Sequence, residues 1–283
     1  MACTRQVLNY NIAEAQFMPA IRIFAVAGAL AYAGVVLLIY ALQRSLIYLP
    51  RRMLLKEARR EAAAVNFRPW GKGGLFLGWK REVGNAKGNI LLLQGNNGHA
   101  LEKAKGIWSS PQWNFYILEY PGYGIQTGKP SRKSILKLAE EGIGALDQSL
   151  PLVLIGVSLG SGFVSELCLS HAEVSGVVLL TPFLRLADTA KQRFPWAPTG
   201  LLLRDRLDNT HLARFRGPKL IVAGEKDILM PLAKTHVLSA LTGSELEIVL
   251  GAGHALPPEG AWVARAKRFL EEVLQRQAAA VRH

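Results

Sequence analysis

The chain has 283 residues, half of them hydrophobic, and carries a formal net charge of +13. One large domain or two small ones with a sizeable core fit that length and apolar content. Two cysteines so far apart in sequence, Cys3 and Cys168, do not suggest a disulfide framework or a metal site. Lys and Arg are spread along the chain with no nucleic-acid motif, so no nucleic-acid partner is expected; a solvated basic surface is the plain reading of the charge and attraction to anionic lipid headgroups the sharper one.

Residues 1–20 are mixed and carry little signal. No charge interrupts Ile23 to Leu42. At ~1.5 Å per residue that run covers about 30 Å, the thickness of a bilayer's hydrocarbon core. A single membrane anchor at about residues 21–43 is the expectation. A buried soluble helix would carry a polar face. A cleaved signal peptide is the competing reading, since Ala29-Leu30-Ala31 resembles a cleavage site, but the run stays apolar well past it. Arg5 and Arg22 precede the run; Arg44, Arg51, Arg52, Lys56, Arg59 and Arg60 come after it. The positive-inside rule then favours a cytoplasmic location for the rest of the chain, with export to the other side as the alternative.

The N-terminal segment is expected to occupy residues 1–50. Residues 51–65 read as a juxtamembrane linker with a short charged helix from Lys56 to Ala64, and residues 66–283 as one globular domain. In that domain Leu75–Val83, Ile90–Gln94, Asn114–Tyr120, Leu152–Val157, Gly176–Leu180, Lys219–Ala223 and Leu246–Leu250 read as strands. Helical patterns lie at Ser134–Gln148, Ser158–His171, Pro231–Leu241 and Ala261–Gln277. Alternation of this kind predicts an α/β fold, a mostly parallel sheet with helices on both faces. The interval 181–217, broken by Pro182, Pro195 and Pro198, reads as a short helical lid.

The chemistry starts at Gly156-Val157-Ser158-Leu159-Gly160. An apolar strand runs into this pentapeptide and a helical stretch leaves it. The turn puts Ser158 at its apex, and glycines two residues to either side let strand and helix approach closely. A serine hydroxyl needs a base to become a nucleophile. Of six histidines, His254 in Gly251-Ala252-Gly253-His254 comes after the last strand and shares the sheet edge of Ser158. Asp227 in Gly224-Glu225-Lys226-Asp227 comes after the preceding strand and is the candidate acid that orients the imidazole, with Glu225 as its competitor. Asp205 and Asp208 read as structural ion-pair partners. An oxyanion site needs backbone N–H donors, and those of Leu159 and of Asn96, in the loop Gln94-Gly95-Asn96-Asn97-Gly98-His99, are expected to supply them.

Together these motifs resemble the membrane-anchored α/β-hydrolases of the serine-aminopeptidase-like and monoglyceride-lipase-like set (ABHD-type). Also carrying the resemblance are Gln43-Arg44-Ser45-Leu46-Ile47-Tyr48-Leu49-Pro50, Glu119-Tyr120-Pro121-Gly122-Tyr123-Gly124, Gly128-Lys129-Pro130-Ser131, Thr181-Pro182-Phe183 and 201–209. It covers most of the chain after residue 40. It implies the α/β-hydrolase fold and a Ser158-Asp227-His254 hydrolase of small-molecule or lipid acyl esters or thioesters, with neither cofactor nor metal. Acyl transfer or aminopeptidase chemistry on the same triad, a silent scaffold, and a basic membrane- or nucleic-acid-binding module are the rival readings. Two positions depart from the pattern. Gln94 stands where the family has a histidine that supports the oxyanion loop, and Glu119 stands where it has aspartate.

Overall fold

In the computed structural model, residues 2–104 and 110–280 are described, without the side chains of 2–18, 20 and 280; the side chain of Cys3 and all of His283 lie outside the described residues. The chain divides into two compact units, Met1–Gln43 and Arg44–His283.

Residues 2–43 of the first unit lie in α1 (Ala2–Ile47). Within Ile21–Ile47 an 18-residue stretch reaches a mean hydropathy of 2.3, and its large side chains, among them Phe24, Leu30, Leu37 and Leu38, are exposed. A helix with so apolar and exposed a stretch suits a membrane anchor or a signal sequence. Its 27 residues reach ~40 Å, long enough to cross a bilayer.

In the second unit the chain runs through β1 (Leu49–Pro50), α2 (Leu55–Ala64), β2 (Arg68–Lys72), β3 (Leu75–Arg81), β4 (Gly88–Leu93), β5 (Asn97–Gly98), α3 (Ala100–Ala104) and β6 (Trp113–Leu118). It continues through α4 (Arg132–Ile143), β7 (Leu152–Val157), α5 (Leu159–Ser170), β8 (Val174–Leu180), α6 (Leu186–Arg193), α7 (Thr199–Leu202) and a 3-10 turn at Asn209–Arg214. It closes with β9 (Lys219–Gly224), α8 (Leu232–Thr242), β10 (Glu245–Val249) and α9 (Ala261–Ala280).

Eight strands form one sheet in the order β10-β9-β8-β7-β4-β6-β3-β2. Every pair from β10 to β6 is parallel; β3 joins β6, and β2 joins β3, antiparallel. The mostly parallel sheet is thus as expected. Its middle strands are apolar at consecutive positions because both faces are covered. Along β4, Leu91 and Leu93 join the core under α4, α5 and α8, while Ile90 and Leu92 join the core under α2, α3 and α9. From β4 the chain goes one way to β6, then crosses back to β7 and proceeds through β8 and β9 to β10. The crevice at such a reversal lies at the carboxyl ends of the strands.

Two features depart from the sequence expectation. Residues 51–65 are not a free linker. Helix α2 buries Ala58 and Ala62 against Phe67, Trp79 and neighbouring core residues, so the segment belongs to the globular unit. A two-alanine stripe is narrow among Lys, Glu and Arg, which is why the helix reads as solvated. The second is β2, an edge strand through Pro69. An edge position tolerates a missing donor.

Candidate active site

Ser158 comes directly after β7 with φ 50° and ψ −112°, a strained turn for a residue with a side chain. The strain is held from both sides. Its N–H donates to the Leu180 carbonyl at 2.9 Å, and its own carbonyl accepts from the Ser161 N–H and hydroxyl at 3.0 and 2.6 Å. Buried Asn209 extends the brace, donating to Ser161 Oγ and to the Phe183 carbonyl at 2.8 and 2.7 Å. A Cβ on Gly156 would sit 2.5 Å from Ser161 Cα, and one on Gly160 2.1 Å from the Leu93 carbonyl oxygen. The sharp turn therefore requires glycine at both positions.

The chain brings Ser158, His254 and Asp227 together across 96 and 27 residues. His254 Nε2 is 3.0 Å from Ser158 Oγ, and His254 Nδ1 is 2.8 Å from Asp227 Oδ2. Asp227 is buried, and its other oxygen accepts from the Leu229 and Met230 N–H groups at 2.9 and 2.8 Å. Glu225, the competing acid, instead accepts from the Gly251 N–H at 2.8 Å. It clamps the histidine loop to the aspartate loop, as does the Lys226 N–H on the Ala252 carbonyl at 2.8 Å. His171 pairs with Glu173 and His99 with Glu102. Asp205 holds Arg44 and the Tyr48 hydroxyl, and Asp208 holds Arg185.

Asn96, Ser158, Leu159 and His254 line one cavity of about 420 Å³. Among the described residues neither the Asn96 nor the Leu159 N–H donates to an acceptor, as a site awaiting an oxyanion would require. The Asn96 loop is held in place by its carbonyls. Tyr120 donates to the Gln94 carbonyl and Tyr123 to the Asn96 carbonyl, each at 2.7 Å, and the Leu49 N–H also reaches the Asn96 carbonyl at 2.8 Å. Sequence reasoning gives these two tyrosines no role, although both stand in the Glu119–Gly124 motif.

The two departures from the family pattern sit against each other. Buried Glu119 accepts from Trp79 Nε1 and from the Ala100 N–H, each at 3.0 Å. The Gln94 carboxamide faces this carboxylate closely enough to favour its charged form, yet neither of its polar atoms reaches a partner with hydrogen-bond geometry. Burial dominates and pushes the Glu119 carboxyl from the ordinary 4.5 up to about 7. Between those values the folded chain holds a proton that the unfolded chain has lost, so this group makes stability fall as pH rises through the window and has no further effect above it. Glu119→Gln, which stays neutral, is expected to gain on the wild type by up to roughly 3 kcal/mol from pH about 4.5 to about 7. Thermal melts of both proteins across that range measure the gain; a constant gap would show that Glu119 does not titrate there.

Comparison with known proteins gives no matching family model. An uncharacterised protein of Mycobacterium tuberculosis is 27% identical over 249 residues, covering 81% of this chain and 86% of its own. A solved esterase of Pyrococcus furiosus superposes with a TM-score of 0.59 at 13% identity, over 81% of this chain and 98% of its own. A bacterial membrane phospholipase A superposes with a TM-score of 0.59 at 15% identity, over 89% and 98%. The chain has the α/β-hydrolase fold. Within the α/β-hydrolase sheet, Ser158 comes after β7, Asp227 after β9 and His254 after β10, in the order that this fold uses.

Proposed function

We propose that the protein is a serine hydrolase of carboxylic esters or thioesters, acting on lipid-like acyl groups through an acyl-enzyme. The observation that carries this reading is the pair of contacts from His254, 3.0 Å to Ser158 Oγ and 2.8 Å to Asp227 Oδ2, with Ser158 and His254 lining one cavity. His254 Nε2 takes the Ser158 proton as Oγ attacks the acyl carbon. Asp227 holds Nδ1–H and stabilises the imidazolium. The Leu159 and Asn96 N–H groups receive the oxyanion, each such donor contributing about 3 kcal/mol in the transition state. His254 then protonates the leaving alcohol or thiol. Water, deprotonated by the same nitrogen, releases the acyl group and restores Ser158.

Phe183, Leu186, Phe194, Leu203 and Met230 give the cavity the apolar lining that an acyl chain needs. The esterase and the phospholipase A of like fold support ester chemistry. Residues 21–43 would tether the domain to the membrane from which such substrates come, with the cluster of arginines after them favouring the cytoplasmic face. Residues 181–217, which supply much of the cavity wall, would act as its lid.

A fluorophosphonate probe on detergent-solubilised protein tests the reading, together with a p-nitrophenyl ester series. Labelling and turnover are expected for the wild type and are expected to vanish in Ser158→Ala. Labelling that survives the substitution, or no turnover of any chain length, would sink the proposal.

A further inference from the structure

Helix α6 turns one face into the cavity. Leu186, Thr189, Ala190 and Arg193 line it at spacings of three, four and seven residues. Burial falls along that face: Leu186 is buried, Thr189 and Ala190 are half-buried, and Arg193 is exposed. The face therefore runs from the interior to the rim over ~10 Å. No Asp or Glu lines the cavity among the described residues. Arg193 forms no ion pair among them either, whereas Arg44, Arg132, Arg185 and Arg265 each hold an acid. Across 181–217, seven Lys or Arg face three Asp.

We infer that the cavity takes an ester bearing a phosphate or carboxylate group, and that Arg193 binds this group at the rim. This rests on the reading of Ser158 as nucleophile and adds the substrate class to it. The guanidinium presents a planar fork of donors that matches both anions. Its aliphatic stem continues the apolar wall, so the acyl chain and the anion are read by the same helix face. A cavity rimmed by one sign of charge also concentrates ligands of the other.

The test compares decanoylglycerol with decanoylglycerol phosphate in neutral detergent, using the full chain. Wild type is expected to favour the phosphate ester in kcat/KM. In Arg193→Gln the phosphate-to-neutral ratio is expected to fall about tenfold, through KM rather than kcat, the effect of losing a charge-assisted hydrogen bond. Lys191→Gln removes an equal charge from an exposed α6 position outside the cavity and is expected to leave the ratio unchanged. Equal handling of the two esters by the wild type would overturn the inference, as would an equal fall in Lys191→Gln. A second arm measures binding of decyl phosphate and of decanol to Ser158→Ala by calorimetry. Phosphate binding lost on adding Arg193→Gln upholds the anion site even if neither ester is hydrolysed, in which case only the hydrolase reading fails. Decyl phosphate binding no better than decanol, or indifferent to Arg193, overturns the site.

Discussion

Asp227→Asn is expected to lower ester turnover by about 10⁴ while leaving the fold intact. The magnitude comes from which oxygen is already committed. Oδ1 accepts two backbone N–H groups, from Leu229 and Met230, so the amide oxygen of asparagine must take that place. Its NH₂ then faces His254 Nδ1, which can only accept. The ring is forced to carry its proton on Nε2, where it points at Ser158 Oγ and cannot remove the serine proton. Steady-state kinetics with a p-nitrophenyl ester, alongside a circular-dichroism melt, checks both halves. A loss below tenfold would mean that Asp227 is not the orienting acid.

The second large effect is expected at Gly160. An alanine methyl there would meet the Leu93 carbonyl oxygen at 2.1 Å and the Gln94 carbonyl oxygen at 2.7 Å. Both oxygens belong to backbone, so no rotamer change relieves the contact. The first turn of α5 must move away from the end of β4, taking the Leu159 N–H and the Ser158 hydroxyl out of register with Asn96. Overpacking of this kind costs about 2–3 kcal/mol, roughly 5–10 °C in Tm for a domain of this size. Misplacing an oxyanion donor costs a further factor of about 10²–10³ in kcat. Melting and turnover of Gly160→Ala measure the two separately; wild-type values for both would remove the steric argument for the turn.

Much of this arrangement is legible from residue order. The strands of the parallel sheet announce themselves as short apolar runs, and Leu152–Val157 is found where its pattern puts it. The positions of Ser158, Asp227 and His254 are legible for a similar reason: each comes after a strand whose carboxyl end faces the same crevice. What stays hidden depends on neighbours in space. Gln94 and Glu119 read as two unrelated departures because nothing in the chain tells that β4 and β6 lie side by side. The burial of α2 is hidden because Ala58 and Ala62 give almost no hydrophobic signal between charged residues. Arg193 resembles any surface arginine until the face of α6 that carries it is seen to line the cavity. Pro69 and Gly71 speak against a strand, and β2 forms because an edge asks less of its residues.

The clasp around Asp205 bears on where the globular part can be parted from its apolar helix. Arg44 and Tyr48 grip a carboxylate that belongs to the 181–217 interval, Leu46 and Ile47 wall the cavity, and β1 pairs with β5 beside Asn96. A protease cutting ahead of Arg44 would shed a particle with its pocket whole. A cut after Pro50 would remove the apolar helix just as fully but leave the pocket short of one wall, Asp205 stripped of both partners and the Asn96 carbonyl missing a donor. Any cleavage that removes the apolar helix and keeps the pocket whole must therefore fall on the N-terminal side of Arg44.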